Sequence, residues 1–216
     1  MKRNWKFRSL ATGALVLVGV LAPTLALAGS NNPQSPDISA AAAAPDKCYT
    51  WQQMEPAEQK YRKTSNIPKI YDIGTVGAGY FNVACGALSF TVPRGTEALV
   101  DMSATAELDC QAPTGSNGWC DGRFLVNSSA AHPDNTDRGD TYAWDATNGG
   151  TYDWSAHSLD QEYRAVCAAS TTTSVPCTFR VTLQSRLVNG ATSVWIDDLT
   201  VRVDVTVGKV SISTVG

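Results

Sequence analysis

Two histidines, His132 and His157, are all that this 216-residue chain has for proton transfer near neutral pH. No cysteines are spaced C-x-x-C and neither histidine lies close to a cysteine in sequence, so the common zinc sites are excluded. The G-x-S-x-G elbow of serine hydrolases is absent. His157 stands beside Ser155 and Ser158, with Asp153 and Asp160 nearby, yet a Ser-His-Asp relay is a spatial arrangement that spacing cannot supply. Acidic residues are scattered, and no two are singled out as a glycosidase pair. The expectation is a protein that is not an enzyme.

A basic excess is also lacking. Lys2, Arg3, Lys6 and Arg8 precede an uncharged run from Leu10 to Leu27, which closes on Ala26-Leu27-Ala28. That order of basic, apolar and small residues predicts a secretory signal peptide over 1–28. A membrane anchor is the alternative, and Pro23 with the A-x-A ending argues against it. Cleavage would remove four of 17 basic residues and none of 20 acidic ones, leaving 13 against 20, or −7. Such a chain is a poor partner for nucleic acid and is not expected to insert in a membrane. Lys60-Tyr61-Arg62-Lys63 is the basic cluster that remains. Residues 29–46, rich in Asn, Pro, Ser and Ala, read as a disordered linker, and 47–216 as one domain.

Cysteine is present in even number: Cys48, Cys85, Cys110, Cys120, Cys167 and Cys177. In an exported chain this predicts three disulfides, for which fifteen pairings exist. Cys110 with Cys120 and Cys167 with Cys177 share one spacing across loop-like segments. The simplest arrangement is a bridge at the base of each of two hairpins, with Cys48 to Cys85 tying the start of the domain.

Helical periodicity is nearly missing. Only Pro56 to Thr64 reads as one short N-terminal helix, with proline at its first position. Elsewhere the chain alternates with period two. Leu88, Phe90 and Val92 share a face. So do Ala98, Val100, Met102, Ala104, Ala106 and Leu108, with Asp101, Ser103, Thr105 and Glu107 opposite. Cys120, Gly122, Phe124 and Val126 follow, then Phe179, Val181 and Leu183. The last run sets Leu199, Val201, Val203, Val205 and Val207 against Thr200, Arg202, Asp204 and Thr206. Short alternating strands with turns between them predict an all-β, antiparallel β-sandwich, with a closed barrel as the alternative. Extending the last run backwards places Asp197 on the inner face. Either Asp197-Asp198 forms a bulge that turns the carboxylates outward, or one is held inside by hydrogen bonds or calcium.

The segment Tyr142 to Trp154 (YAWDATNGGTYDW) is the richest in aromatics. Tyr142, Trp144, Asp145, Tyr152 and Trp154 flank Asn148-Gly149-Gly150. Folded as a hairpin, they would form a platform on which sugar rings stack; the alternative is that they fill the core.

The segments Val92–Gly95, Ala104–Cys110, Trp119–Val126, Trp154–Ser158 and Val194–Val201 resemble a group of uncharacterised secreted proteins from mycelial Gram-positive bacteria. The resemblance covers roughly residues 88 to 207 and implies export and a jelly-roll-like fold. Trp195-Ile196-Asp197-Asp198-Leu199-Thr200-Val201 is also similar to the last strand of jelly-roll carbohydrate-binding modules. That similarity implies Asp197 or Asp198 as ligands of a structural calcium. Two functions are therefore expected: a secreted, non-catalytic module that binds carbohydrate or another cell-envelope component, or a structural, self-associating surface protein. Neither needs a cofactor.

Overall fold

The computed structural model describes residues 47–55, 57–66, 68–133, 143–146 and 154–211. The expected signal peptide and linker, and Tyr142 and Tyr152, lie outside these residues. Among the described residues the chain forms β1 (Tyr49–Met54), β2 (Glu58–Ser65), β3 (Lys69–Asp72), α1 (Ile73–Val76), β4 (Phe81–Val92), β5 (Thr96–Gln111), β6 (Trp119–Val126), β7 (Ser129–Ala130), β8 (Ala143–Ala146), β9 (Ser155–Cys167), β10 (Cys177–Val188) and β11 (Ser193–Val207). No helix among these residues is long and apolar enough to cross a membrane.

The strands make two antiparallel sheets. The first runs β1-β2-β11-β5-β9, with β3 continuing β2 along the same side of β11. The second runs β4-β10-β6-β7, with β8 also on β6. The expected sandwich forms, and separate sheets take the place of a barrel. The alternating residues named above meet between the sheets: Phe90, Val100, Phe124, Val181, Leu183, Val201 and Val203 are all at most 1 % exposed. Period two works here because a residue whose neighbours point to solvent points to the facing sheet.

All three predicted disulfides form: Cys48–Cys85, Cys110–Cys120 and Cys167–Cys177. Disulfides of this kind persist in an oxidising compartment. Their role differs from the expected hairpin staples. Cys110 ends β5 of the first sheet and Cys120 opens β6 of the second, while Cys167 ends β9 of the first and Cys177 opens β10 of the second. Cys48 enters β1 of the first sheet, and Cys85 lies in β4 of the second. Every bridge therefore joins the two sheets. Facing sheets stand about 10 Å apart, whereas the bridged Cα atoms are 5.6–5.9 Å apart. The Cys110–Cys120 and Cys167–Cys177 bridges thus sit where the chain crosses from one sheet to the other, while Cys48–Cys85 ties the start of β1 to the interior of β4.

Pro56, the first residue of the helix expected over Pro56–Thr64, lies outside the described residues, and from Glu58 onward the segment is instead strand β2, paired with β1 on one side and β11 on the other. Its inner face is polar, which hid the alternation. Tyr61 Oη donates to Gln59 Oε1 (2.8 Å), Gln59 Nε2 donates to Thr91 O (3.0 Å) and Lys63 Nζ to Ala87 O (2.9 Å). Burial, reinforced by Arg180, lowers the Lys63 pKa from its ordinary value. These side chains satisfy carbonyls on the edge of β4, and two ladders outweigh the local helix propensity. The only helix among the described residues is the single turn α1.

Candidate functional site

The expected aromatic hairpin does not form. Trp144 and Asp145 lie on β8, which pairs with β6 in the second sheet, whereas Trp154 leads into β9 of the first sheet. Trp144 is 3 % exposed, and a Cβ on Gly122 would stand 3.0 Å from its Cε3. Its bare glycine neighbour is what lets the indole enter the core. Trp154 is half-buried and meets the buried Trp195 edge-on, at 5.8 Å and 84°. A stacking platform of Trp144 and Trp154 is therefore corrected to one core side chain and one that covers the sheet end.

Asp145 is buried as well. Its Oδ2 accepts from the Cys110 backbone N–H (2.9 Å), and its Oδ1 accepts from Ala146 N (2.7 Å) and faces His157 Nε2 (3.1 Å). Ser155 Oγ lies 2.6 Å from that same nitrogen. A catalytic relay needs serine and carboxylate on opposite imidazole nitrogens. With both on Nε2, the group pins β8 of one sheet to β5 and β9 of the other. Sequence proximity to His157 pointed to Asp153 or Asp160; the carboxylate that arrives comes from the opposite sheet.

At Asp197-Asp198 the bulge forms. Two residues of β11, Asp198 and Leu199, stand against Ala106 of β5, because the pairs on either side are Asp197 with Glu107 and Thr200 with Thr105. Asp198 takes φ 46°. This extra residue restores phase, so Leu199 is buried while Asp198 is exposed. Asp197 Oδ1 accepts from the Asp198 backbone N–H (2.8 Å), and burial raises the Asp197 pKa. Among the described residues no three His, Cys, Asp or Glu side chains are grouped to hold a metal ion.

Sequence spacing missed the outer face of the first sheet. Register sets polar residues in rows across it. One row is Glu162, Asp101, Asp204, Lys60 and Gln53, and the next is Asp160, Ser103, Arg202, Arg62 and Trp51. Arg62 Nη1 donates to Asp204 Oδ1 (2.7 Å) and Arg202 Nε to Asp204 Oδ2 (2.8 Å). Burial works against ionisation of Asp204, and those donors outweigh it, so its carboxyl sits below the ordinary value. Burial raises Asp101, helped by the charges of Glu162 and Asp204. Asp101, Asp160 and Glu162 have no side-chain hydrogen bond or ion pair among the described residues. They line a cavity of about 800 Å³, with Ser103, Arg202 and the His132–Pro133 segment around it. At the far edge of this face Tyr49 and Trp51 stack at 6.2 Å and are 53 % and 54 % exposed.

The second sheet also carries a polar cluster, but one closed on itself. Asp121 faces outward on β6 and is still fully buried, accepting from Trp119 Nε1 (2.8 Å) and Arg186 Nη2 (2.5 Å). Tyr80 covers it, with Arg123 3.6 Å and Arg186 4.6 Å from the ring centroid. Its charges find their partners within the protein, which marks it as structural.

No family model matches the chain, and no curated protein matches it.

Proposed function

We propose that the chain is a secreted, non-catalytic binding module that takes a glycan of the cell envelope on the outer face of the β1-β2-β11-β5-β9 sheet. The observation that carries this is the cavity in which Asp101, Asp160 and Glu162, none of them in a side-chain hydrogen bond or ion pair among the described residues, are gathered near the Arg202 charge, on the same face as the stacked Tyr49 and Trp51. Carboxylates accept hydrogen bonds from sugar hydroxyls, guanidinium groups donate to them, and aromatic faces stack on sugar C–H surfaces. From β9 to β1 the face spans roughly 19 Å, at about 4.8 Å per strand. That is room for a short oligosaccharide. Three disulfides, the basic-apolar-small N-terminus and the resemblance to secreted proteins of mycelial Gram-positive bacteria all support export. Ser155 and Asp145 converge on a single nitrogen of His157, which supports the non-catalytic part.

A glycan array, followed by calorimetric titration of the best glycan, tests this reading. Wild type should bind, and Glu162→Ala and Asp160→Ala should each weaken binding about tenfold or more, since a hydrogen bond to a charged group contributes about 1.5–3 kcal/mol. Trp144→Phe, a change inside the core, should leave affinity unchanged. An array blank for wild type, or alanine variants that bind as tightly as wild type, would sink the proposal.

A further inference from the structure

We propose that β1 is an interface between two copies of this chain, paired strand to strand and antiparallel about a two-fold axis through Trp51.

An edge strand with free backbone groups invites another strand, and proteins commonly block such edges with charge, proline, bulges or cover. The other edges of this sandwich are managed. On β4, Thr91 O and Ala87 O accept from Gln59 and Lys63, and Ala84 N donates to Tyr71 Oη (2.6 Å). β9 exchanges two hydrogen bonds with His132 at Glu162 and carries Asp160, Glu162 and Arg164. β7 and β8 are two and four residues long. β1 differs on each count. Its six residues, Tyr-Thr-Trp-Gln-Gln-Met, hold no charge and no proline, pair one-to-one with β2 without a bulge, and are exposed on both faces.

The occupant follows from the sequence on either side of Trp51. Opposed residues of an antiparallel pair point to the same face, so a two-fold axis normal to the sheet must pass through a residue, not between two. Placing it at Trp51 opposes Trp51 to Trp51 of the second copy, Tyr49 to Gln53 and Thr50 to Gln52. Lys47, four residues before Trp51, then faces Glu55, four residues after it, and does so at both ends. Both side chains are exposed. An axis at Gln52 would oppose Lys47 to Ala57 and Glu55 to Tyr49, so the charges select the Trp51 register. Opposite charges and aromatic pairs across strands are the contacts that stabilise a ladder. The product is one continuous sheet across both copies. Gln59 and Lys63 hold β4 beneath β2, so the two β4 edges stand three strand spacings, roughly 14 Å, apart on the inner side and the second layers do not collide. This interface stands whether or not the outer face binds a glycan.

Charge reversal in the oxidised chain, read by sedimentation equilibrium, tests it. Wild type should be a dimer. Lys47→Glu and Glu55→Lys should each weaken dimerisation about tenfold to thirtyfold, because two attractive pairs become repulsive. An equimolar mixture of the two single variants should dimerise like wild type, since every pair in the mixed dimer is again of opposite sign. The double variant should do the same. Rescue by mixing also shows that the single variants are folded. A wild type that stays monomeric at millimolar concentration, assemblies larger than a dimer, or single variants that associate as tightly as wild type would overturn the proposal. None of these residues lines the cavity used to test glycan binding, so the two proposals can fail separately.

Discussion

Asp101 stands between Glu162 and Asp204 in one row across β9, β5 and β11. Like charges directly opposite one another weaken a sheet, and burial adds to the same effect on this carboxyl, which is raised above its ordinary value. A group whose folded pKa is raised favours the folded state below its unfolded pKa, and that contribution is lost as pH rises through the folded pKa. Asp101→Asn should therefore stabilise the fold at neutral pH by about 0.5 kcal/mol, after allowance for solvent screening. The gain should vanish as pH falls through the carboxylate range. Denaturant melts of both proteins at neutral and at acid pH check this; a gain that persists in acid would contradict the assignment. Strand alternation already showed that Asp101 and Asp204 face outward. That they face each other depends on β5 pairing with β11, nearly a hundred residues later, and nothing local encodes that partnership.

The Asp197-Asp198 bulge is where an element departs from its own repeat. Trp195 and Asp197 share the outer face, Leu199 and Val201 the inner one, and the added residue reconciles the two runs. The phase conflict was legible in the sequence because an inner-face aspartate is costly. Its resolution rests on Asp198 at φ 46°, a conformation that aspartate tolerates and β-branched residues do not. Asp198→Gly should preserve or slightly raise the melting temperature, and Asp198→Val should cost about 1–2 kcal/mol. Equal melting temperatures for the two variants would show that the left-handed conformation is not required there. β2 illustrates the opposite limit. Its inward residues Gln59, Tyr61, Lys63 and Ser65 are polar, so the pattern reads as helix until β4 supplies the carbonyls they bond.

For the whole molecule, the three disulfides lock the two sheets together, two of them at chain crossings and the third from the start of β1 into β4. In the loop-entropy model each ten-residue closure contributes about 2.7 kcal/mol and the 37-residue closure about 3.9 kcal/mol. These values are comparable to the net stability of a domain, about 5–15 kcal/mol. Replacing Cys167 and Cys177 together by serine should lower unfolding free energy by about 2–3 kcal/mol in urea, with the slope showing a more expanded unfolded chain. An unchanged midpoint would mean that the sheets are held by their core alone.

Taken by itself, the sequence determined which residues point inward along most strands and that the cysteines pair; it left fifteen pairings open and marked one of them as the simplest. These are short-range properties: alternation sets the face of each residue, and a loop of ten residues can bring its own ends together. Only the tertiary structure decided that the disulfides bridge sheets and not hairpins, that Trp144 enters the core above Gly122, that His157 meets Asp145, and that separate strands place Asp101, Asp160, Glu162 and Arg202 around one cavity. The physical reason is shared. Period two says which way a side chain faces, but which strand lies alongside is set by burial and ladder pairing summed over the whole chain, and those contacts are distant in sequence.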